Sequence, residues 1–184
     1  AVRGAWKKPF TGRADLVIAV GFRFWSGEHF GEPPTWNADA TYVQIDAPQY
    51  AALLDPALRE GYRQRGSDPD QLIDRCIEMD NAAIGRHPGV TFALHICRGN
   101  NQSMFYASGG YEPIARVFTK SHFQRFLLEY DDERSGGFEP LRAMPPDRTV
   151  VLGLVTTKKP RIESVDELTR RIEEAARVVP RERL

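Results

Sequence analysis

His95 and Cys97 stand one residue apart in "VTFALHIC", residues 90–97. The run is apolar and β-favouring, then breaks into the polar, glycine-containing "RGNNQS". It reads as a strand that ends where the reactive side chains begin. Alternate residues of a strand share a face, so the imidazole and the thiol project together, about 6–7 Å apart at the backbone for a rise of ~3.3 Å per residue. One ion could take both, because zinc accepts a histidine nitrogen at about 2.0–2.1 Å and a thiolate at about 2.3 Å. Two carboxylates occupy comparable points. Glu129 follows three apolar residues in "RFLLEYDD" (125–132), and Asp46 closes the strand of "TYVQIDAP" (41–48). A carboxylate at the exit of an apolar strand is costly unless something uses it.

Each residue also has a plainer explanation. A His-x-Cys pair taken alone is more often a buried imidazole beside a buried thiol, since cysteine packs as a small hydrophobe. Asp46 could form a turn before Pro48. Glu129 could belong to the solvated acidic run "EYDDE". Cys76 falls on an apolar helix face and reads as core, and His29, His87 and His122 lie in loop or helix-end contexts without an assigned role. The combination is what stands out: three successive strand ends carry Asp, His with Cys, and Glu. In parallel α/β folds, ligands bind at the carboxyl ends of the strands.

The elements that must position these residues follow a β/α rhythm from about residue 39. Strands are expected at 41–48, 90–97, 125–132 and 149–157, the last ("TVVLGLVTT") apolar enough for burial on both faces. Residues 70–86 carry apolar side chains at spacings of three and four and read as a helix. "EPIARVF" (112–118) opens a short helix. Ser164 and Glu167 form a capping-box pattern ahead of a stripe of Val165, Leu168, Ile172, Ala175, Ala176 and Val179, stopped by Pro180. Alternation of this kind indicates parallel pairing through βαβ units. Within residues 1–38, "ADLVIAVGFRF" (14–24) could be a strand and "SGEHFGEPPTWN" (26–37) is loop-like; this segment is set apart as an N-terminal segment of uncertain organisation.

Composition narrows the classes. Twenty-five Lys and Arg balance twenty-five Asp and Glu over 184 residues, which argues against a nucleic-acid binder. No apolar run approaches the ~20 residues of a membrane span. The opening "AVRGAWKKPFTGR" lacks the apolar centre of a secretory signal, and two cysteines make no disulfide framework. The expected location is cytoplasmic, with reduced thiols.

Taken together, "YVQIDAPQYAALLDP" (42–56), "LHICRGNN" (94–101), "GGYEP" (109–113), "FLLEYDDERSGGFEPLR" (126–142), "VVLGLVTTKKPRIES" (150–164) and "RRIEEAARVVP" (170–180) resemble the catalytic domain of cobalamin-independent methionine synthase, and most closely its short single-domain relatives. The resemblance covers residues 39–184. It implies α/β architecture, a partial (β/α)8 TIM barrel with zinc at the carboxyl ends of its strands. His95, Cys97 and Glu129 match the family's metal ligands, and Asp46 matches the aspartate that helps hold the amino-acid substrate. The family's fourth ligand is a cysteine in a Cys-Gly motif that would lie a few residues beyond "VVPRERL". The expectation is therefore a carboxyl-terminal half-barrel lacking its last strand and one ligand.

The implied activity is transfer of a methyl group from a folate donor to the thiol of homocysteine, giving methionine. Zinc-dependent alkyl transfer to another thiol, as in epoxyalkane:coenzyme M transferase, is the alternative on the same scaffold, and an inactive barrel fragment is the other. Gly109 and Gly110 would let a loop over the site approach closely, or would form a plain turn. Strand edges and apolar faces left by an unfinished barrel would favour self-association.

Overall fold

The computed structural model describes residues 16–19, 41–85 and 87–184. Five parallel strands pair in sequence order: β1 (Leu16–Ala19), β2 (Tyr42–Asp46), β3 (Thr91–Ile96), β4 (Arg125–Glu129) and β5 (Thr149–Gly153). β1 falls inside the 14–24 stretch read as a candidate strand; the loop expected at 26–37 lies outside the described residues. A parallel sheet with neighbours in chain order is what successive β/α units produce.

Side-chain parity decides which face is core. Val43 and Ile45 on β2, Phe92, Leu94 and Ile96 on β3, Phe126 and Leu128 on β4, and Val150 on β5 are all buried. They pack in one cluster with Tyr50, Leu53, Leu54, Ile73, Ile77, Val117 and Phe118 from the connecting helices. The residues of opposite parity, Asp46, His95, Leu127, Glu129, Val151 and Gly153, point the other way, and all but Asp46 line a cleft on that side. The sheet thus keeps its apolar residues under the helices and gives the facing side to the reactive groups.

Three helices connect β2 to β3: α1 (Pro48–Leu54), α2 (Pro56–Gln64) and α3 (Pro69–Ile84). The sequence reading anticipated only the third. Each begins with proline in its first turn, where the missing N–H costs nothing. Asp55 caps α2 by accepting from the Ala57 and Leu58 N–H groups, and Asp68 caps α3 by accepting from that of Asp70. Pro48, read as the stop of a strand, also starts a helix. The short helix expected at 112–118 divides into a 3₁₀ turn, Glu112–Ile114, and α4 (Arg116–Lys120).

Two expectations need correction. β5 is not buried on both faces: Val150 is buried but Val151 is 40% exposed, because its face opens onto the cleft. The last helix, α5 (Val165–Ala176), does use Ser164 as its cap, with Oγ accepting from the Glu167 N–H at 3.2 Å. Its apolar stripe is only partly covered, however. Ala175 and Val179 are buried, while Val165 and Ile172 stay exposed. The Glu167 carboxylate pairs with Arg161.

Candidate metal and substrate site

Sheet register sets the heights of the predicted residues. Asp46 is the direct partner of His95 across β2 and β3, and His95 is that of Leu127 across β3 and β4. Two residues further on, Cys97 and Glu129 reach a common level. His95, Cys97 and Glu129 all line a cleft of about 330 Å³ at the carboxyl ends of the strands, with Leu127, Val151, Gly153, Val155, Thr157 and Lys158 completing its walls.

On the β2/β3 side, Asp46 Oδ1 lies 2.8 Å from His95 Nδ1. One ligand atom from each of Asp46, His95 and Cys97 falls within 4.8 Å of the other two. A nitrogen, a sulfur and a carboxylate oxygen are the donor types zinc takes. Cys97 forms no disulfide. Burial pushes its thiol above the usual range, and the Asp46 and Glu129 carboxylates add to this; the Gly99 N–H and Lys158 oppose them.

On the β4/β5 side, Glu129 is held by three donors. Its Oε2 accepts from the Arg98 N–H at 3.0 Å and lies 3.2 Å from Lys158 Nζ; its Oε1 accepts from Arg134 Nη1 at 2.7 Å. Arg134 also donates to Asp131 Oδ1 at 2.8 Å, and Lys158 to Asp131 Oδ2 at 3.3 Å. Thr156 Oγ1 donates to Asp131 at 2.8 Å. Burial alone would raise Asp131, but the Thr156 hydroxyl, Lys158 and Arg134 hold it below its ordinary range. Glu129 therefore shares the cleft with His95 and Cys97 while its charge is already compensated. Arg134 and Lys158, each less than a tenth exposed, were not anticipated from the sequence. Both sit in charged runs, "DDERS" and "TTKKPR", that look solvated when read locally.

An arch over residues 98–110 closes one end. Gly99 has φ +90°, a conformation other residues rarely adopt, and a Cβ there would stand 2.5 Å from Tyr106 Cδ1. Tyr106 donates its hydroxyl to the Pro48 carbonyl, Asn100 donates to Thr157 Oγ1 at 2.6 Å, and the Ser108 N–H donates to Asp55 at 2.7 Å. The arch is thus tied to β5's exit and to the cap of α2. Beneath it, the fully buried Arg98 donates to the Tyr111 hydroxyl and to the carbonyls of Glu129, Gly109 and Ser135. Gly109 and Gly110 do not line the cleft. They sit at close approaches elsewhere: a Cβ on Gly109 would lie 3.1 Å from the Leu54 carbonyl oxygen, and a Cβ on Gly136 would lie 2.7 Å from Gly110 Cα.

A run of parallel β/α units with nitrogen, sulfur and oxygen ligand atoms at successive strand exits defines a parallel α/β protein. Residues 36–184 match the family model described as the cobalamin-independent synthase catalytic domain, and the chain belongs to that family. Two curated proteins of Bacillus subtilis (strain 168), the uncharacterized proteins YxjG and YxjH, are 42% and 38% identical to it over 152 residues. That alignment spans 81% of this chain and 40% of each relative, so the chain corresponds to about two fifths of their length. Among solved structures, a B12-independent methionine synthase from Shewanella sp. W3-18-1, in complex with selenomethionine, superposes with a TM-score of 0.60 at 19% identity, covering 79% of this chain and 40% of that one. That likeness shows the fold: the five-stranded sheet corresponds to part of a TIM-barrel-like domain. Among the described residues, no helix is long and apolar enough to cross a membrane.

Proposed function

We propose that this chain carries the metal-binding part of a zinc-dependent S-methyltransferase that moves a methyl group from a folate donor to the thiol of homocysteine, giving methionine. The observation that supports this reading best is the close group of the Asp46 carboxylate, the His95 imidazole and the Cys97 thiol, with Glu129 in the cleft that His95 and Cys97 also line, in a member of the cobalamin-independent synthase family. The solved neighbour's selenomethionine, an analogue of the product, fits the same reading.

His95, Cys97 and Glu129 would hold the ion. Zinc bound there would supply Lewis acidity, favouring the thiolate of a substrate sulfur at neutral pH. The chain's own groups do the rest. Asp46, with a side chain only 13% exposed, offers an anionic oxygen for the substrate ammonium, a charge-assisted hydrogen bond. Glu129 would hold the ion through Oε2, the oxygen beside Lys158, while Arg134 keeps Oε1 in place. Leu127, Val151 and Val155 supply an apolar wall that limits water around the sulfur. A ligand thiol must stay reduced, so we place the protein in the cytoplasm.

The test is the zinc content of the purified chain, wild type beside Cys97→Ser and Glu129→Ala. Near-stoichiometric zinc that falls in both variants is the expected result; a wild-type chain without zinc overturns the reading. Methyl transfer assayed with homocysteine and a methylfolate, beside a second thiol with an epoxide, then separates the proposed reaction from alkyl transfer to another acceptor.

A further inference from the structure

The contact between Asp46 and His95 has a geometry of its own. Two donors bound to one tetrahedral zinc at about 2.0–2.1 Å stand ~3.3 Å apart. Asp46 Oδ1 and His95 Nδ1 are 2.8 Å apart. That is a hydrogen-bond distance and too short for co-ligands. A carboxylate oxygen at this distance suits an imidazole that donates from Nδ1 and keeps its lone pair on Nε2. The sheet itself creates this arrangement, because residues 46 and 95 are direct register partners on adjacent parallel strands.

We propose that Asp46 is a positioning residue for His95, fixing the tautomer and ring plane so that Nε2 is the nitrogen presented to the metal. The inference rests on the zinc reading above and adds to it. Asp46 acquires a task that precedes substrate: Oδ1 orients the imidazole, while Oδ2 remains for an ammonium group. Without the carboxylate, a ring 35% exposed on its side chain can flip and exchange tautomers. A carboxylate behind a metal-bound imidazole is worth about 10–100-fold in metal affinity.

The experiment needs no substrate. Chain stripped with a chelator is titrated with zinc against a chromophoric competitor, for wild type, Asp46→Ala, Asp46→Asn and Cys97→Ser. Asp46→Ala is expected to weaken zinc about 10–100-fold, and Asp46→Asn, which keeps an acceptor oxygen, to recover most of that loss. Nitrogen-15 NMR of the metal-free chain supplies a second readout. His95 should show a protonated Nδ1 in wild type and mixed tautomers in Asp46→Ala. If Asp46→Ala binds zinc like wild type while Cys97→Ser does not, the inference fails and the zinc reading stands. If wild type takes up no zinc, that reading fails, and the NMR tautomer decides this one: a protonated Nε2 in wild type overturns it.

Discussion

The two walls of the cleft handle charge in opposite ways. On β2 and β3, Asp46, His95 and Cys97 share one hydrogen bond among them. On β4 and β5, Glu129 and Asp131 are clasped by Arg134 and Lys158, with Thr156 and the Arg98 N–H completing their shells. Carboxylates that bury without cations must lose charge or gain a partner; the second wall has been given partners from within the chain. On the first wall, no Lys or Arg pairs with Asp46 among the ion pairs described. The contrast separates two jobs. One wall is a close group of metal-type ligand atoms, and the other is balanced by cations from within the chain.

The sharpest way to break that comparison is to remove Glu129 without metal present. Glu129→Ala leaves Arg134 and Lys158 buried with fewer anions, and unbalancing a buried ion network of this kind costs about 3 kcal/mol. Urea unfolding in excess chelator should show that loss as a lower midpoint with an unchanged slope. A drop under ~1 kcal/mol would mean that the pairs are solvated and contribute little.

A carboxylate elsewhere in the chain shows what happens without the clasp. Asp80 on α3 accepts from the Tyr50 hydroxyl at 2.7 Å and has no cation on it among the hydrogen bonds and ion pairs described. Burial pushes its pKa up to about 6, the Tyr50 bond only partly offsetting it. The folded state therefore holds this proton more tightly than the unfolded state, and stability falls as pH rises from about 4 through 6. Asp80→Asn removes that loss. The variant should be more stable than wild type by on the order of 1–2 kcal/mol above pH 7, with the gap closing towards pH 4. Asp131, held below its ordinary range, has the opposite sign: its contribution is present at neutral pH and is lost on acidification. Denaturation of both proteins across pH 4–8 checks the crossing of these trends.

Lys158 sharpens the comparison in a different way. On the proposed zinc reading it is the cation that a metal would displace from Glu129, so Lys158→Met should lower the stability of the metal-free chain by about 1 kcal/mol and raise its zinc affinity. Competition titration against a chelator reads the second effect. Weaker zinc in this variant would mean that Lys158 aligns Glu129 and does not compete for it.

The asymmetry between the walls also explains what the sequence made visible. Asp46, His95, Cys97 and Glu129 could be picked out because strand periodicity and strand exits are local signals. The pairing of β2, β3, β4 and β5 followed from the same rhythm. Arg134 and Lys158 could not be picked out, since their burial depends on two loops from different strands closing over one another. Helices α1 and α2 escaped for a chemical reason. Pro48 reads as a strand breaker, although Asp55–Pro56 and Asp68–Pro69 repeat a cap followed by a first-turn proline. The exposed face of β5, Val151 and Gly153, escaped because apolar composition alone cannot say which face of a strand meets the core.

The smallest expected effect tests the open wall directly. His95→Ala removes a half-buried ring with one hydrogen bond, so unfolding of the metal-free chain should change by less than about 1 kcal/mol. The same substitution should remove most of the zinc-linked stabilisation, which grows as RT ln(1 + [Zn]/Kd) in the wild type. A fold insensitive to His95 but a metal response dependent on it would show that this residue is kept for binding and not for packing. A large stability loss without metal would instead place the Asp46–His95 pair among the structural bonds of the sheet, and the division of labour between the two walls would no longer hold.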